Sequence, residues 1–275
     1  MNRLLSICCV GLCLVALNAC TKDDSEGAGV CGAIGAKVWG GEACKTEARS
    51  SAVLIFGLAK SGSQRKAVSV CSGALISSKH VLTAGHCIKG LEEDLAKRGM
   101  DFAGWSIYVG GKQGEEITVA KAEAHPKFSG AAGDPNDVGI LTLQRAPSPA
   151  VAPLPLLLSE DVAVGADLTA YGFGKGENQD KDIGTLKALQ FKVSGFFRDN
   201  IFVEGDGESS ICQGDSGGPV VAENNKGKPA IVAVSSFGDA KGCVSSAASA
   251  YGFASVQLKV NLDFIVAAAP EAKVD

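Results

Sequence analysis

Ser216 lies in Cys212-Gln213-Gly214-Asp215-Ser216-Gly217-Gly218-Pro219, His86 in Leu82-Thr83-Ala84-Gly85-His86-Cys87, and Asp137 in Asn136-Asp137-Val138-Gly139-Ile140-Leu141. Together these residue types suit acyl transfer through a serine. A serine hydroxyl is a poor nucleophile at neutral pH, so it needs a base within hydrogen-bond reach, and imidazole titrates in the right range. A carboxylate in turn holds the imidazole tautomer and stabilises the imidazolium that forms. The Gly214-Asp215-Ser216 turn can aim the N–H groups of Gly214 and Ser216 at one oxygen, because glycine permits the backbone that such a turn demands.

Other readings of the same residues compete. Gly214-x-Ser216-x-Gly218 also satisfies the nucleophile elbow of α/β-hydrolases, in which Asp and His follow the Ser in chain order. No histidine follows His125, so that reading lacks its base. A serine alone in a Gly-rich turn is usually structural, and a lone histidine is usually packed or at the surface. The ordered trio of His86, Asp137 and Ser216 carries the chemical reading. His80 is expected to fill a packing place and His125 to cap a turn before Pro126. Asp134, in Gly133-Asp134-Pro135-Asn136, competes with Asp137 but reads as a loop residue.

Bringing such distant residues together requires a large folded core. The chain has 275 residues, 46% hydrophobic and 20% charged, with 35 glycines, which excludes disorder, collagen and coiled coil. Its 26 basic and 30 acidic residues give a net charge of -4 with no basic stripe, so nucleic acid is not an expected partner. Short β-like runs separated by turn-formers predict strands at Ala52 to Leu58, Ala67 to Ile76, Trp105 to Val109, Glu116 to Ala120 and Val138 to Leu143. Further runs follow at Asp167 to Tyr171, Leu186 to Val193, Pro219 to Ala222, Ala230 to Ser235 and Tyr251 to Val256. Between the two sets, the Pro-rich stretch from Ala146 to Pro155 reads as a stiff connection between halves. Helices are expected at Leu91 to Arg98 and Val260 to Ala269.

Residues 1–20 have the plan of an export signal: Met-Asn-Arg, an apolar run from Leu4 to Leu17, then Asn18-Ala19-Cys20. Leu17-Asn18-Ala19-Cys20 resembles a bacterial lipobox, in which Cys20 takes the lipid and becomes the new N-terminus; plain secretion is the alternative. Residues 21–37 have linker composition and are expected to form a propeptide. Of ten cysteines, Cys31, Cys44, Cys71, Cys87, Cys212 and Cys243 lie beyond the signal. An even set in an exported chain points to disulfides. A zinc site is not expected, because no C-x-x-C pair remains there and the histidines are not spaced as ligands.

From Val38 to about Ala268 the chain resembles the trypsin/chymotrypsin family of serine proteases. The three motifs above occur in that family's order, joined by Cys71-Ser72-Gly73-Ala74-Leu75-Ile76, by His125-Pro126-Lys127-Phe128, and by Gly172-Phe173-Gly174 where the family usually has Gly-Trp-Gly. Gly85 replaces a usual alanine, and His80 stands where an aromatic is common. The resemblance implies an all-β fold over residues 38–275: two packed antiparallel β-barrels, about 52–145 and 156–256, and a C-terminal helix over 257–269. It also implies disulfides Cys71–Cys87 and Cys212–Cys243, which leaves Cys31 and Cys44 to each other, with a free or interchain Cys31 as the alternative.

Activation and specificity follow from the same resemblance. Lys37-Val38-Trp39-Gly40-Gly41 is similar to an activation junction, where the freed Val38 ammonium would pair with Asp215 and order the oxyanion hole. Ser210, six residues before the nucleophile, is the expected pocket floor. Without a carboxylate there, a desolvated Lys or Arg of the substrate loses its partner, so an uncharged residue is expected before the scissile bond. Cutting at Lys37 would then fall to a trypsin-like protease in trans. Ser236-Phe237-Gly238 resembles the segment that pairs with the substrate backbone. Gly238 would leave the pocket mouth open and Ser249 would narrow its wall. The expected activity is that of an exported serine endopeptidase acting on protein or peptide, with no cofactor or metal and with the membrane reached only through the lipid. The rivals are a catalytically silent homologue acting as a binding module and an esterase using the same serine.

Overall fold

Runs of β-branched and aromatic residues between turn-formers become strands that curl into two closed barrels, all neighbours antiparallel. The computed structural model describes residues 50–176, 178–205, 210–238 and 249–275. The expectations for Cys20, Cys31, Lys37, Val38, Cys44 and Cys243 lie outside the described residues.

The first barrel contains β1 (Ala52–Ser61), β2 (Gln64–Leu75), β3 (His80–Thr83), β4 (Phe102–Val109), β5 (Glu115–Ala124) and β6 (Gly139–Leu143), closed in the order β1-β2-β3-β6-β5-β4. The second contains β7 (Asp167–Gly172), β8 (Lys187–Phe197), β9 (Asn200–Glu204), β10 (Pro219–Glu223), β11 (Pro229–Gly238) and β12 (Ala250–Ser255), in the order β10-β11-β12-β9-β8-β7. Helix α1 (Leu91–Lys97) decorates the first barrel, and helix α2 (Lys259–Ala268) follows the second. The chain thus has the expected pair of antiparallel barrels with a C-terminal helix.

Two strands lie outside the sequence expectation. β3 is only four residues long, and its pattern is held by partners on both sides: Leu82 faces Ala74 of β2 and Ile140 of β6. β9 follows β8 through a two-residue turn, Arg198-Asp199, both with positive φ (49° and 63°). That backbone is the hairpin turn that an Asn-Gly or Asp-Gly pair normally announces; here Asp199 alone carries the signal, with no glycine beside it.

The Pro-rich connection is pinned to both barrels. Leu154 N–H donates to Leu75 O at 2.9 Å, and Pro155 O accepts from Ile231 N–H at 2.8 Å. The C-terminal segment adds a second strap, with Lys273 N–H donating to Ile76 O at 2.9 Å and Leu156 N–H to Lys273 O at 2.8 Å. The largest apolar cluster fills the first barrel with residues such as Ile55, Leu82 and Ile140 and continues to Tyr171, Val221 and Ile231 of the second.

Helix α2 reaches back to the loop before β6. Asn261, fully buried, donates from Nδ2 to Pro135 O at 2.7 Å and to Ser255 O at 2.8 Å. His125 accepts Lys127 N–H on Nδ1 at 3.1 Å, the turn-capping role expected of it, and its Nε2 lies 3.1 Å from Val260 O. His80 places Nδ1 2.8 Å from Ser77 Oγ. Replacing Asn261 by alanine strands two buried carbonyls. Asn261→Ala should therefore cost about 1–3 kcal/mol, read as a lower midpoint in urea unfolding.

Candidate active site

His86 occupies a single 3-10 turn, Gly85–Cys87, that begins where β3 ends. Cys87 in that turn is bonded to Cys71 of β2 with a Cα–Cα distance of 6.2 Å, a ring worth about 3 kcal/mol in the loop-entropy model. Asp137 stands just before β6, the partner of β3, and Thr83 faces Gly139. Antiparallel pairing therefore carries the two segments past each other with His86 beside Asp137. Asp137 is 3% exposed. Its Oδ1 accepts His86 N–H at 2.8 Å, and its Oδ2 accepts His86 Nδ1–H at 2.7 Å and Ser236 Oγ–H at 2.6 Å. A carboxylate only accepts, so the His86 proton sits on Nδ1 and Nε2 is left as a base.

The preceding loop is held as firmly. Asn200 Nδ2 donates to Gly133 O at 3.0 Å, beside the Asn261 bond to Pro135 O. Asp134 stays within the loop, as expected. Burial opposes its ionisation, but hydrogen bonds from Ser129 and Asn136 outweigh that and bring its carboxyl down to about 2.

Ser216 comes from the second barrel. Gly214 turns the chain with φ 98°, a conformation that suits glycine, and Asp215 N–H closes the turn on Cys212 O at 3.0 Å. Ser72 of β2 clamps it across the barrels: its Oγ donates to Gly214 O at 2.8 Å and accepts Phe173 N–H at 2.9 Å, and its N–H donates to Ser216 O at 2.8 Å. Cys87 Sγ lies 3.6 Å from the same Ser216 carbonyl, which sets Ser216 against the turn carrying His86. Among the described residues, the N–H groups of Gly214 and Ser216 have no hydrogen-bond acceptor, and the Ser216 hydroxyl has no partner. Such contacts commonly tighten only when substrate arrives.

Asp215 is 1% exposed and lies against the backbone of Gly172 and Gly174. Oδ1 accepts Gly174 N–H at 2.8 Å and Oδ2 accepts Cys212 N–H at 2.9 Å. Burial pushes its pKa up, opposed first by the charge of Lys187 and then by these two N–H groups.

Beside Ser216 opens a cavity of about 230 Å³. Ser236, Phe237 and Gly238, at the end of β11, form one side, and Ile211, Gln213, Ser235, Tyr251 and Phe253 lie around it; no charged side chain lines it among the described residues. Ser210 and Ser249 do not reach its wall. Ser210 is fully buried, accepting Tyr251 O–H at 2.9 Å and donating to Ile211 O at 2.9 Å. Ser235 Oγ is buried with no partner among the described residues. Cys212 is disulfide-bonded, and its expected partner Cys243 is outside the described residues. Cys71, His86 and Cys87 bring possible ligand atoms together, but both sulfurs are spent in the disulfide.

Sequence reasoning missed several contributors. Ser72 adjoins a motif cysteine, which was a usable signal. The Ser236 hydroxyl on Asp137, the Ser235 wall and Lys187 beside Asp215 had none, since each depends on segments far apart in the chain that only the closed barrels bring together.

Comparison with known proteins places this geometry. The profile of the family described as Trypsin matches residues 38–260. Glucanase inhibitor protein 2 of Phytophthora sojae is 29% identical over 168 residues, covering 57% of this chain and 56% of that protein. Glucanase inhibitor protein 3 of Phytophthora sojae is 27% identical over 184 residues, 63% of this chain and 69% of its own. Trypsin 5G1 of Aedes aegypti is 30% identical over 171 residues, 56% and 62% respectively. The chain thus spans little more than half of the length of the first of these relatives.

A Cβ on Gly172 would lie 2.1 Å from Asp215 Oδ1, and neither the β7 backbone nor the buried carboxylate can yield. Gly172→Ala should disturb the Asp215 turn and cost about 1–3 kcal/mol of stability, read as a lower midpoint with thermal unfolding still cooperative. A near-parental midpoint would show that the turn tolerates displacement.

Proposed function

The chain belongs to the trypsin family, and on that premise we propose that it is an exported serine endopeptidase. The observation that carries this reading is the Nδ1–H of His86 on buried Asp137, at 2.7 Å, with Ser216 on the facing turn. Ser216 Oγ attacks the peptide carbonyl while His86 Nε2 takes its proton. The oxyanion of the tetrahedral intermediate meets the N–H groups of Gly214 and Ser216. His86 then protonates the leaving amine, and water, activated by the same imidazole, releases the acyl group. Asp137 stabilises the imidazolium in both halves.

The uncharged cavity supports a preference for an aromatic or medium aliphatic residue before the scissile bond. A buried Lys or Arg would find no counter-charge there. Phe237-Gly238, on the exposed end of β11, offers an edge to an extended substrate.

Relatives named as glucanase inhibitors support a second reading, in which the same fold binds a partner protein without turnover. An esterase is the third. Fluorophosphonate labelling separates the binding module from both enzymes, and comparing peptide with ester substrates separates the enzymes. Wild type should label at Ser216 and cleave peptides. Ser216→Ala should fold normally and lose activity by about 10⁴-fold or more. Near-parental turnover in that variant would end the serine mechanism.

The leader supports export with a lipid on Cys20, and cutting after Lys37 by a trypsin-like protease. A Cys31–Cys44 bridge would span that cut and keep the cleaved enzyme on its anchor. Cleaved protein should stay on membranes in oxidising buffer and leave them on mild reduction. Full release by cleavage alone would rule the tether out.

A further inference from the structure

We infer that Ser72 is a positioning residue for acyl transfer: its hydroxyl fixes the peptide unit between Gly214 and Asp215 and thereby makes the N–H groups of Gly214 and Ser216 converge on one oxygen. The inference rests on the catalytic reading above and adds to it a residue that touches neither the substrate nor a reacting atom.

Three successive peptide units run through the nucleophile turn, and each has its carbonyl held. Gln213 O accepts Lys175 N–H at 2.9 Å, Gly214 O accepts the Ser72 hydroxyl at 2.8 Å, and Asp215 O accepts Gly218 N–H at 2.9 Å. A trans peptide is planar, with its N–H opposite its C=O. Holding Gln213 O therefore sets the direction of Gly214 N–H, and holding Asp215 O sets that of Ser216 N–H. The middle unit joins the other two, so its orientation fixes the angle between the two donors. Its outer neighbours are held by backbone groups, whereas the Ser72 hydroxyl is the only partner of Gly214 O among the described residues. Ser72 is thus the point at which one substitution loosens the turn without deleting either donor.

The direction of the bond is settled by its neighbour. Phe173 N–H can only donate, and it reaches Ser72 Oγ at 2.9 Å. The hydroxyl proton is then committed to Gly214 O, and each bond polarises the next. Ser72 is fully buried, and a Cβ on Gly214 would lie 2.8 Å from Gly174 Cα and 3.2 Å from Val70 Cγ1. Packing this close leaves little room for a water to replace the hydroxyl. The backbone of Ser72 is held separately, since Thr83 Oγ1–H donates to Ser72 O at 2.7 Å and Ser72 N–H donates to Ser216 O at 2.8 Å. Removing the hydroxyl therefore leaves β2 in place and deprives Gly214 O and Phe173 N–H of their partner. Gly214 has φ 98° and, without a side chain, offers little resistance to turning of that unit.

Such a lock acts on chemistry and not on binding. The substrate meets the cavity and the end of β11 before reaction, but full negative charge on the oxygen develops only in the transition state, where two convergent donors count most.

The test compares the full chain as wild type, Ser72→Ala and Thr83→Val, each treated alike with trypsin, on one peptide with phenylalanine before the scissile bond. Ser72→Ala should lower kcat by about tenfold to a hundredfold with KM within about threefold. It should weaken a phenylalanine-derived peptide boronic acid, which becomes tetrahedral on Ser216, by a similar factor, while the matching peptide alcohol, which forms no adduct, binds as before. Thr83→Val removes a buried hydrogen bond to the same residue without freeing Gly214 O. It should lower the urea midpoint and keep kcat within about threefold, the pattern that a merely structural Ser72 would also give. Parental kcat in Ser72→Ala, equal loss of kcat in both variants, or equal weakening of boronic acid and alcohol would overturn the inference. Should Ser72→Ala fail to fold by circular dichroism, Ser72→Cys decides, because a thiol fills the space but donates weakly: parental kcat there overturns the inference. In each of these cases an active wild type leaves the catalytic reading standing. A wild type that neither labels with fluorophosphonate nor cleaves peptides removes that reading, and the inference with it.

Discussion

A carboxylate taken out of water must be surrounded by donors, and Asp137 is surrounded by three from two barrels. His86 supplies its backbone N–H and its ring Nδ1–H from the first barrel, and Ser236 supplies a hydroxyl from the second. Those bonds make the base usable and also lock the barrels in one relation, because β11 cannot slide on β6 without stranding the buried charge. Helix α2 and β9 serve the same end at one remove, holding Pro135 O and Gly133 O through Asn261 and Asn200.

The nucleophile side repeats the solution with a second buried carboxylate. Asp215 holds the backbone of Cys212 and Gly174, and the turn between leaves the N–H groups of Gly214 and Ser216 without an acceptor among the described residues. Ser72 closes the circuit, since one residue of β2 bonds Gly214, Ser216 and Phe173. On the proposed reading the first barrel presents the base and steadies the nucleophile, while the second presents the nucleophile and steadies the base. Neither half is complete alone, which is why the site lies where the barrels meet.

The cavity beside Ser216 shows how a residue can matter without being touched. Ser210 is not among the residues lining the cavity; it accepts the Tyr251 hydroxyl and donates to Ile211 O. Its effect on specificity would be exerted through Tyr251, whose ring forms part of the wall. Ser235, buried and without a partner among the described residues, is one of the polar groups in that wall, with Gln213, Ser216 and Ser236.

Much of this was legible beforehand. The order of His86, Asp137 and Ser216 in the chain and ten of the strands are matters of local pattern and chain order, which a sequence records directly; the Cys71–Cys87 pair was legible only through the family resemblance. The sequence was silent where structure depends on partners. β3 exists because β2 and β6 flank it, and β9 because a turn without glycine accepts two positive φ angles. The Ser236 bond to Asp137, the Ser72 clamp and Lys187 behind Asp215 join residues that only barrel closure and strand register bring together. Their spacing along the chain has no period to read. Tertiary structure decided them because a hydrogen bond or a buried charge selects its partner by distance in space, after the core has set the register.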